Sequence, residues 1–160
     1  MNSKILTIIN AECSKSNIDV KSIKAICLIE SNMNPWVVRL ETNYIWTYRP
    51  EYYAKKLNIT GNTEMTLQKM SWDLMQIMGG TARAPLMFKG HITELLNPAL
   101  NIQLGLKYFR NLLVKYDWNY LDAVAAYNSG TAKKVNGRYL NQEYLDKYLD
   151  IIQKLEASEH

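Results

Sequence analysis

Glu30 is where this sequence first suggests chemistry. Four apolar residues, Ile26, Cys27, Leu28 and Ile29, run straight into its carboxylate, and Ser31, Asn32 and Asn34-Pro35 then break the apolar pattern. Asp19 has the chemistry of an N-cap. Val20, Ile23, Cys27 and Glu30 follow at helical spacing and share one face. Glu30 therefore ends its helix pointing where the apolar stripe points. There it meets the negative end of the helix dipole, and packing beside Ile26 and Cys27 adds desolvation. Both effects favour the protonated carboxyl. An acid that holds its proton near neutral pH can protonate a glycosidic oxygen. The same spacing also suits a helix-end glutamate that snorkels to water.

Other chemistries find less support. His91 and His160 are the only histidines, and Cys13 and Cys27 are the only cysteines. A histidine-based zinc site or a Ser/His/Asp triad has too few members, and no C-x-x-C pair exists. Cys27 reads as a small core residue. No metal and no cofactor is expected.

The elements that must position Glu30 are mostly helical. The N-terminal stretch MNSKILTIINAECSKS reads as a first helix: its apolar run is shorter than the roughly 7–15 residues of a signal-peptide core. Residues 36 to 48, WVVRLETNYIWTY, are aromatic and β-branched with partial alternation, which predicts a small β-hairpin or an extended lobe. Pro50 starts a short helix through Leu57, Gly61-Asn62 marks a turn, and Thr63 caps a helix reaching about Met70. SWDLMQIMGG predicts an apolar turn stopped by two glycines, with a helix over Thr81 to Phe88. Asn97-Pro98 is a helix start, and Ile102, Leu106, Phe109, Leu113 and Tyr116 then recur every three or four residues. Asn119 caps the next helix, which stops near Gly130. A last helix runs from about Asn141, with Tyr144, Tyr148, Ile151 and Leu155 on one stripe.

The 160 residues suit one domain, here 1–160, with a core of its own. Hydrophobic residues are 48% and charged residues 21%, with 7 Gly and 4 Pro, a globular composition without long linkers. No apolar run approaches the roughly 20 residues that span a bilayer, so no stable membrane insertion is expected. The net charge of +4 is spread without a block of like sign. A basic surface attracts polyanions, but no basic cluster or recognition motif supports nucleic acid as a partner. A monomer is expected.

Three stretches enlarge the picture around Glu30. They are Glu30-Ser31 with Asn34-Pro35, then Leu74-Met75-Gln76, then Ala126-Tyr127-Asn128-Ser129-Gly130. In this order they resemble the lytic transglycosylase (SLT-type) domain, a relative of goose-type lysozyme, with its E-S, G-L-M-Q and A-Y-N-x-G segments. The long helix after Asn97-Pro98 and the Tyr144-x-x-x-Tyr148 helix also fit. The resemblance covers about residues 20 to 150 and implies a mostly α, lysozyme-like fold with a groove for peptidoglycan glycan strands. It makes Glu30 the catalytic acid/base and Ser31 its supporting neighbour. Met75, Gln76, Tyr127, Asn128 and Tyr144 become substrate-binding residues of the groove. From the residues alone, Met75 and Tyr127 are equally core residues and Asn128 a helix-end cap.

The sequence departs from the pattern twice. Asp73 stands where the motif has glycine, a costly exchange if a positive φ or a close approach is needed there, although Asp tolerates the left-handed region better than most residues. Asp73 is therefore an acid that either modulates Glu30 or impairs the site. Residues 31 to 73 separate Glu30 from Leu74, longer than in the shortest family members, so residues 36–70 read as an inserted lobe whose Trp and Tyr offer flat faces to sugars.

The resemblance implies cleavage of the bond between N-acetylmuramic acid and N-acetylglucosamine with formation of 1,6-anhydromuramyl ends. The competing readings are a goose-type hydrolase, a peptidoglycan-binding relative that has lost turnover, and a basic nucleic-acid binder. Action at the cell wall or periplasm without a visible export signal would suit a phage enzyme released by a pore or carried in the virion.

Overall fold

The computed structural model describes residues 3–158. Met1, Asn2, Glu159 and His160, and with them the ends of the 1–160 domain assignment, lie outside the described residues.

The chain is mostly helical. In order come α1 (Ser3–Cys13), α2 (Val20–Ser31), α3 (Pro50–Leu57), α4 (Gly61–Gln68), α5 (Gly79–Arg83), α6 (Pro98–Lys115), α7 (Tyr120–Ser129) and α8 (Gln142–Ala157). A 3-10 turn, Ile92–Leu96, leads into α6. β1 (Val38–Leu40), β2 (Met70–Trp72) and β3 (Ile77–Met78) form an antiparallel sheet in that order, and β4 (Lys134–Val135) pairs with β5 (Arg138–Tyr139). No described helix is long and apolar enough to cross a membrane. This is a lysozyme-like, mostly α architecture.

The capping chemistry explains most boundaries. The Asp19 carboxylate accepts from the Lys21 N–H and starts α2. Asn97 accepts from the N–H groups of Ala99 and Leu100, and Pro98 opens α6 where an N–H would have no helical partner anyway. Asn119 accepts from Asp122 N–H, and Gly130 closes α7 at φ 77.

α6 is the central helix. Ile102, Phe109 and Leu113 are wholly buried on its apolar face, and α1 and α7 pack against it. α8 packs on α2, where the Tyr148 and Ser22 hydroxyls meet at 2.8 Å. That packing carries Tyr144, one turn earlier on α8, over the end of α2.

Four local expectations need correction. α2 ends at Asn32 (φ 51), before Asn34-Pro35, because asparagine takes the left-handed cap and its N–H reaches back to Leu28 O. Thr60, not Thr63, caps α4, and Gly61 opens that helix instead of marking a turn. Gly79-Gly80 begins α5 instead of stopping the preceding segment, and α5 ends at Arg83, since Ala84 before Pro85 is extended. Of the two readings of 36–48, the hairpin is the one corrected: β1 pairs with β2, Val38 opposite Trp72 and Leu40 opposite Met70, and the rest of the stretch carries no strand.

A buried ion pair lies between α4 and α5. Arg83 and Glu64 are both fully buried and form a bidentate pair, Nε to Oε1 at 2.7 Å and Nη2 to Oε2 at 3.0 Å. Arg83 Nη1 donates to the carbonyls of Phe88 and Gly90, and the Tyr53 ring lies 4.2 Å from the guanidinium carbon. Gln68 donates to Glu64 Oε1 and also grips the backbone of Tyr48 at both its N–H and its carbonyl. The network thus ties α4, α5 and the loop that ends at Tyr48.

Candidate active site

Glu30 sits at the last turn of α2, half-buried, at the wall of a groove of about 750 Å3. Burial raises its pKa. Glu41 raises it further, while a hydrogen bond from Tyr144 and the charge of Arg39 pull it back. Tyr144 Oη donates to Oε1 at 2.7 Å, and no hydrogen bond among the described residues takes up Oε2. Arg39, on β1, donates from Nη2 to the Glu30 carbonyl at 2.6 Å, which satisfies one of the open carbonyls at the end of α2. The carboxyl is thus held at one oxygen and left with the other for a proton.

Ser31 faces away from the groove. Its hydroxyl is buried and donates to Cys27 O and Leu74 O, at 3.0 and 2.9 Å. It fastens the turn Asp73–Gln76, between β2 and β3, to the end of α2. Met75 is the floor of that turn. It is fully buried, its N–H donates to Asn101 Oδ1, and its carbonyl accepts from Tyr127 Oη at 2.7 Å. Gly105 of α6 makes room for it: a Cβ there would stand 2.1 Å from the Met75 sulfur.

Gln76 lines the groove, with its side chain already engaged. Nε2 donates to Val37 O and Asp73 O, and Oε1 accepts from Ser71. Tyr127 and Asn128, at the end of α7, line the groove as well, and Tyr108 packs against the Tyr127 ring. Burial holds the Tyr127 and Tyr144 phenols well above their ordinary pKa, with the Glu30 charge adding to it, so both remain hydrogen-bond donors.

Asp73 is fully buried beneath the turn and is not among the groove-lining residues. It adopts φ 59, which glycine would take without strain. Its Oδ1 accepts from the Leu74 N–H, while Oδ2 is buried with no partner among the described residues. Burial pushes its pKa up to about 7 from 3.8. The charges that act on the Glu30 carboxyl are those of Arg39 and Glu41. The folded state thus prefers Asp73 protonated, and stability is lost as pH rises from about 4 through 7 and stays low above it. Some 3 pKa units correspond to a cost on the order of 4 kcal/mol at pH 8. Asp73→Asn keeps the Oδ1 acceptor and tolerates the positive φ. It should leave stability nearly unchanged at pH 4 and raise it by about 3–4 kcal/mol at pH 8 in urea unfolding. A difference that is flat with pH would show that the carboxylate is not the strained group.

The sequence alone marked the 36–70 lobe for its Trp and Tyr but did not single out the residues of the opposite wall. Arg39, Glu41, Tyr44 and Trp46 line the groove. Tyr44 is half-buried, whereas Trp46 is 73% exposed and its neighbour Ile45 74%. The loop that carries them rests on the start of α5, where a Cβ on Gly80 would meet Trp46 O at 2.5 Å and Tyr44 Oη at 2.6 Å. Their signal was the aromatic density of 36–48. Asn101 gave no signal, because one asparagine in an amphipathic helix reads as solvent-facing.

Among the described residues no group of acids, histidines and cysteines could hold a metal ion. Fold and site together define a lysozyme-like helical domain with one half-buried glutamate at the wall of an open groove. The chain belongs to the transglycosylase SLT domain family, whose model matches residues 7–149. Its substrate class is therefore cell-wall peptidoglycan and its reaction class glycosidic-bond cleavage. No curated protein and no solved structure matches the chain.

Proposed function

We propose that this domain is a lytic transglycosylase that cleaves between N-acetylmuramic acid and N-acetylglucosamine with Glu30 as its single acid/base. The observation that carries this reading is the state of Glu30: half-buried, raised in pKa, and held by Tyr144 at one oxygen only. Protonated Glu30 gives its proton to the glycosidic oxygen as the C1–O bond breaks. The substrate's own N-acetyl carbonyl oxygen stabilises the cationic C1. Glu30, now a carboxylate, accepts the proton of the muramyl 6-hydroxyl, and that oxygen bonds to C1. The acid is restored, the product carries a 1,6-anhydro end, and no water is consumed.

In this reading Ser31, Met75 and Asn101 hold the floor, while Gln76, Tyr127, Asn128 and Tyr144 line the path of the glycan beside the acid. Residues 36–70 act as an inserted lobe that supplies the opposite wall. There Trp46 and Tyr44 offer flat faces for sugar rings, with Arg39 and Glu41 as polar contacts. The site of action is the cell wall, and a phage origin would account for access to it.

Mass analysis of muropeptides released from purified peptidoglycan tests the reaction. Anhydro ends, lighter by one water than reducing ends, are expected throughout the digest. Hydrated ends would make the domain a hydrolase, with Glu41, the other groove carboxylate, as the group to examine.

A further inference from the structure

Arg39 reaches the end of α2 from another element. α2 has no basic residue in its own last turn, although a cation there would offset the negative end of the helix dipole. Backbone groups cap most of that end: Asn32 N–H donates to Leu28 O, Met33 N–H to Cys27 O and Asn34 N–H to Ser31 O. Among the described residues, the Glu30 carbonyl takes its hydrogen bond beyond the helix from the Arg39 guanidinium, at 2.6 Å. The cation that the helix lacks is thus supplied by β1.

The strand holds Arg39 in place. It stands opposite Ser71 in the β1–β2 pairing. On either side of it, Asp73 N–H donates to Val37 O and Glu41 N–H to Lys69 O. Ser71 in turn donates to Gln76 Oε1 in the groove. Glu41 follows Arg39 by two residues, the period that returns an extended chain to the same face, and both line the groove. Their charges act on the Glu30 carboxyl with opposite signs, Arg39 favouring the carboxylate and Glu41 the acid. The remaining titratable groups around Glu30 are Tyr144 from α8, Tyr127 from α7 and Cys27 one turn back on α2, all kept protonated by burial. Asp73, beneath the turn, acts on Cys27. The two charges that face the acid therefore come from one extended segment.

We propose that Arg39 is a positioning residue for the reaction: by clamping the Glu30 carbonyl from β1, it fixes the stance of the acid and ties its protonation to the seating of the 36–70 lobe. This rests on the reading of Glu30 as the acid that cleaves peptidoglycan. Losing the bond frees the last turn of α2, which lowers kcat. Losing the charge leaves the carboxyl facing the helix dipole and Glu41 without an offset, which moves the pH at which the proton is lost. A guanidinium that only touched sugar would do neither, and its removal would raise KM alone.

Steady-state kinetics on purified glycan strands across pH test this, with thermal unfolding to confirm the fold of each variant. Arg39→Gln should lower kcat by about ten- to a hundredfold, the scale of a small misplacement of a reacting group. It should also move the alkaline limb of kcat/KM to higher pH, since the active form carries the proton and the cation that favoured its loss is gone. Arg39→Lys keeps the charge and should bring the limb back close to its wild-type position. Glu41→Gln should move the limb to lower pH. In Arg39→Gln/Glu41→Gln the limb should return toward wild type while kcat stays low, because opposite charges offset each other and a lost bond does not. High salt should shrink the limb shifts, since both side chains are exposed, and leave the loss of kcat in place. An unchanged kcat in Arg39→Gln, or a limb that stays where it was or moves to lower pH, overturns the assignment while Glu30 chemistry stands. Activity that survives Glu30→Gln overturns the underlying reading of Glu30, and this assignment with it.

Discussion

Glu30→Gln should abolish turnover of peptidoglycan, by at least three orders of magnitude in kcat, while the protein stays folded. The amide keeps an oxygen to accept the Tyr144 hydrogen bond and nearly the same volume, so the end of α2 has no reason to rearrange. What it loses is the transferable proton. General acid catalysis alone contributes roughly 10²–10⁴-fold, and in the proposed mechanism one group serves both proton transfers, so both steps should fail together. The pH profile of the wild type follows from the same group. Burial, reinforced by Glu41, raises the Glu30 pKa. The active form carries the proton, so kcat/KM should hold on the acid side and fall as pH rises through that raised value. The limb should be absent from any residual activity of Glu30→Gln. Turbidity loss of purified cell walls measures the rate, and thermal unfolding confirms the fold. Substantial lysis by the variant would remove Glu30 from the mechanism.

Breaking the buried Arg83–Glu64 pair should be the most destabilising single change away from the site. Both side chains are fully buried. Glu64→Ala leaves a guanidinium without its counter-ion, and Arg83→Ala leaves a buried carboxylate without its counter-ion and the Phe88 and Gly90 carbonyls without their donor. Removing one partner of such a pair costs about 3–5 kcal/mol. The paired replacement Arg83→Met/Glu64→Leu should recover at least half of that loss, because no charge is then stranded in the interior. Urea unfolding of the two single variants and the double variant measures this, and a double variant as unstable as the sum of the singles would contradict it. Function should respond as well. Through Gln68 the pair holds Tyr48, and so the loop that presents Tyr44 and Trp46 to the groove. The double variant should therefore raise KM more than it lowers kcat.

That network shows where reading the chain alone stops. Glu64 and Arg83 are separated by two turns, a strand pair and a helix start, and each reads singly as an ordinary surface charge. Their partnership exists only because α4 and α5 pack. Likewise, 36–48 allowed either a hairpin of its own or an extended lobe, and the folded chain pairs β1 with β2. Strand pairing is decided by what the folded chain brings alongside, and three residues carry too little local preference to announce it.

Local chemistry, by contrast, was legible in the chain. The caps Asp19, Asn97 and Asn119, Pro at the first position of α3 and α6, and Gly130 at the end of α7 depend on neighbours a few residues away. So does the raised acid: an apolar run ending in Glu30 at a helix terminus already contains both the helix end and the desolvating neighbours. The glycine runs misled for a non-local reason, since Gly61 and Gly79-Gly80 stand at helix starts where backbone or side chains press close, a condition set by the distant Glu51, Leu67 and Trp46.

The sequence by itself therefore determined the helical elements, the position of the acid and the family. Tertiary packing alone decided three things. Tyr144 reaches Glu30 from a distant helix. Asp73 lies buried under the groove instead of in it. Arg39, Glu41 and Trp46 form the facing wall. The physical reason is range. Caps, helix periodicity and dipoles act over a few residues, while a groove is made of side chains that only the packed core brings within a few ångströms of one another.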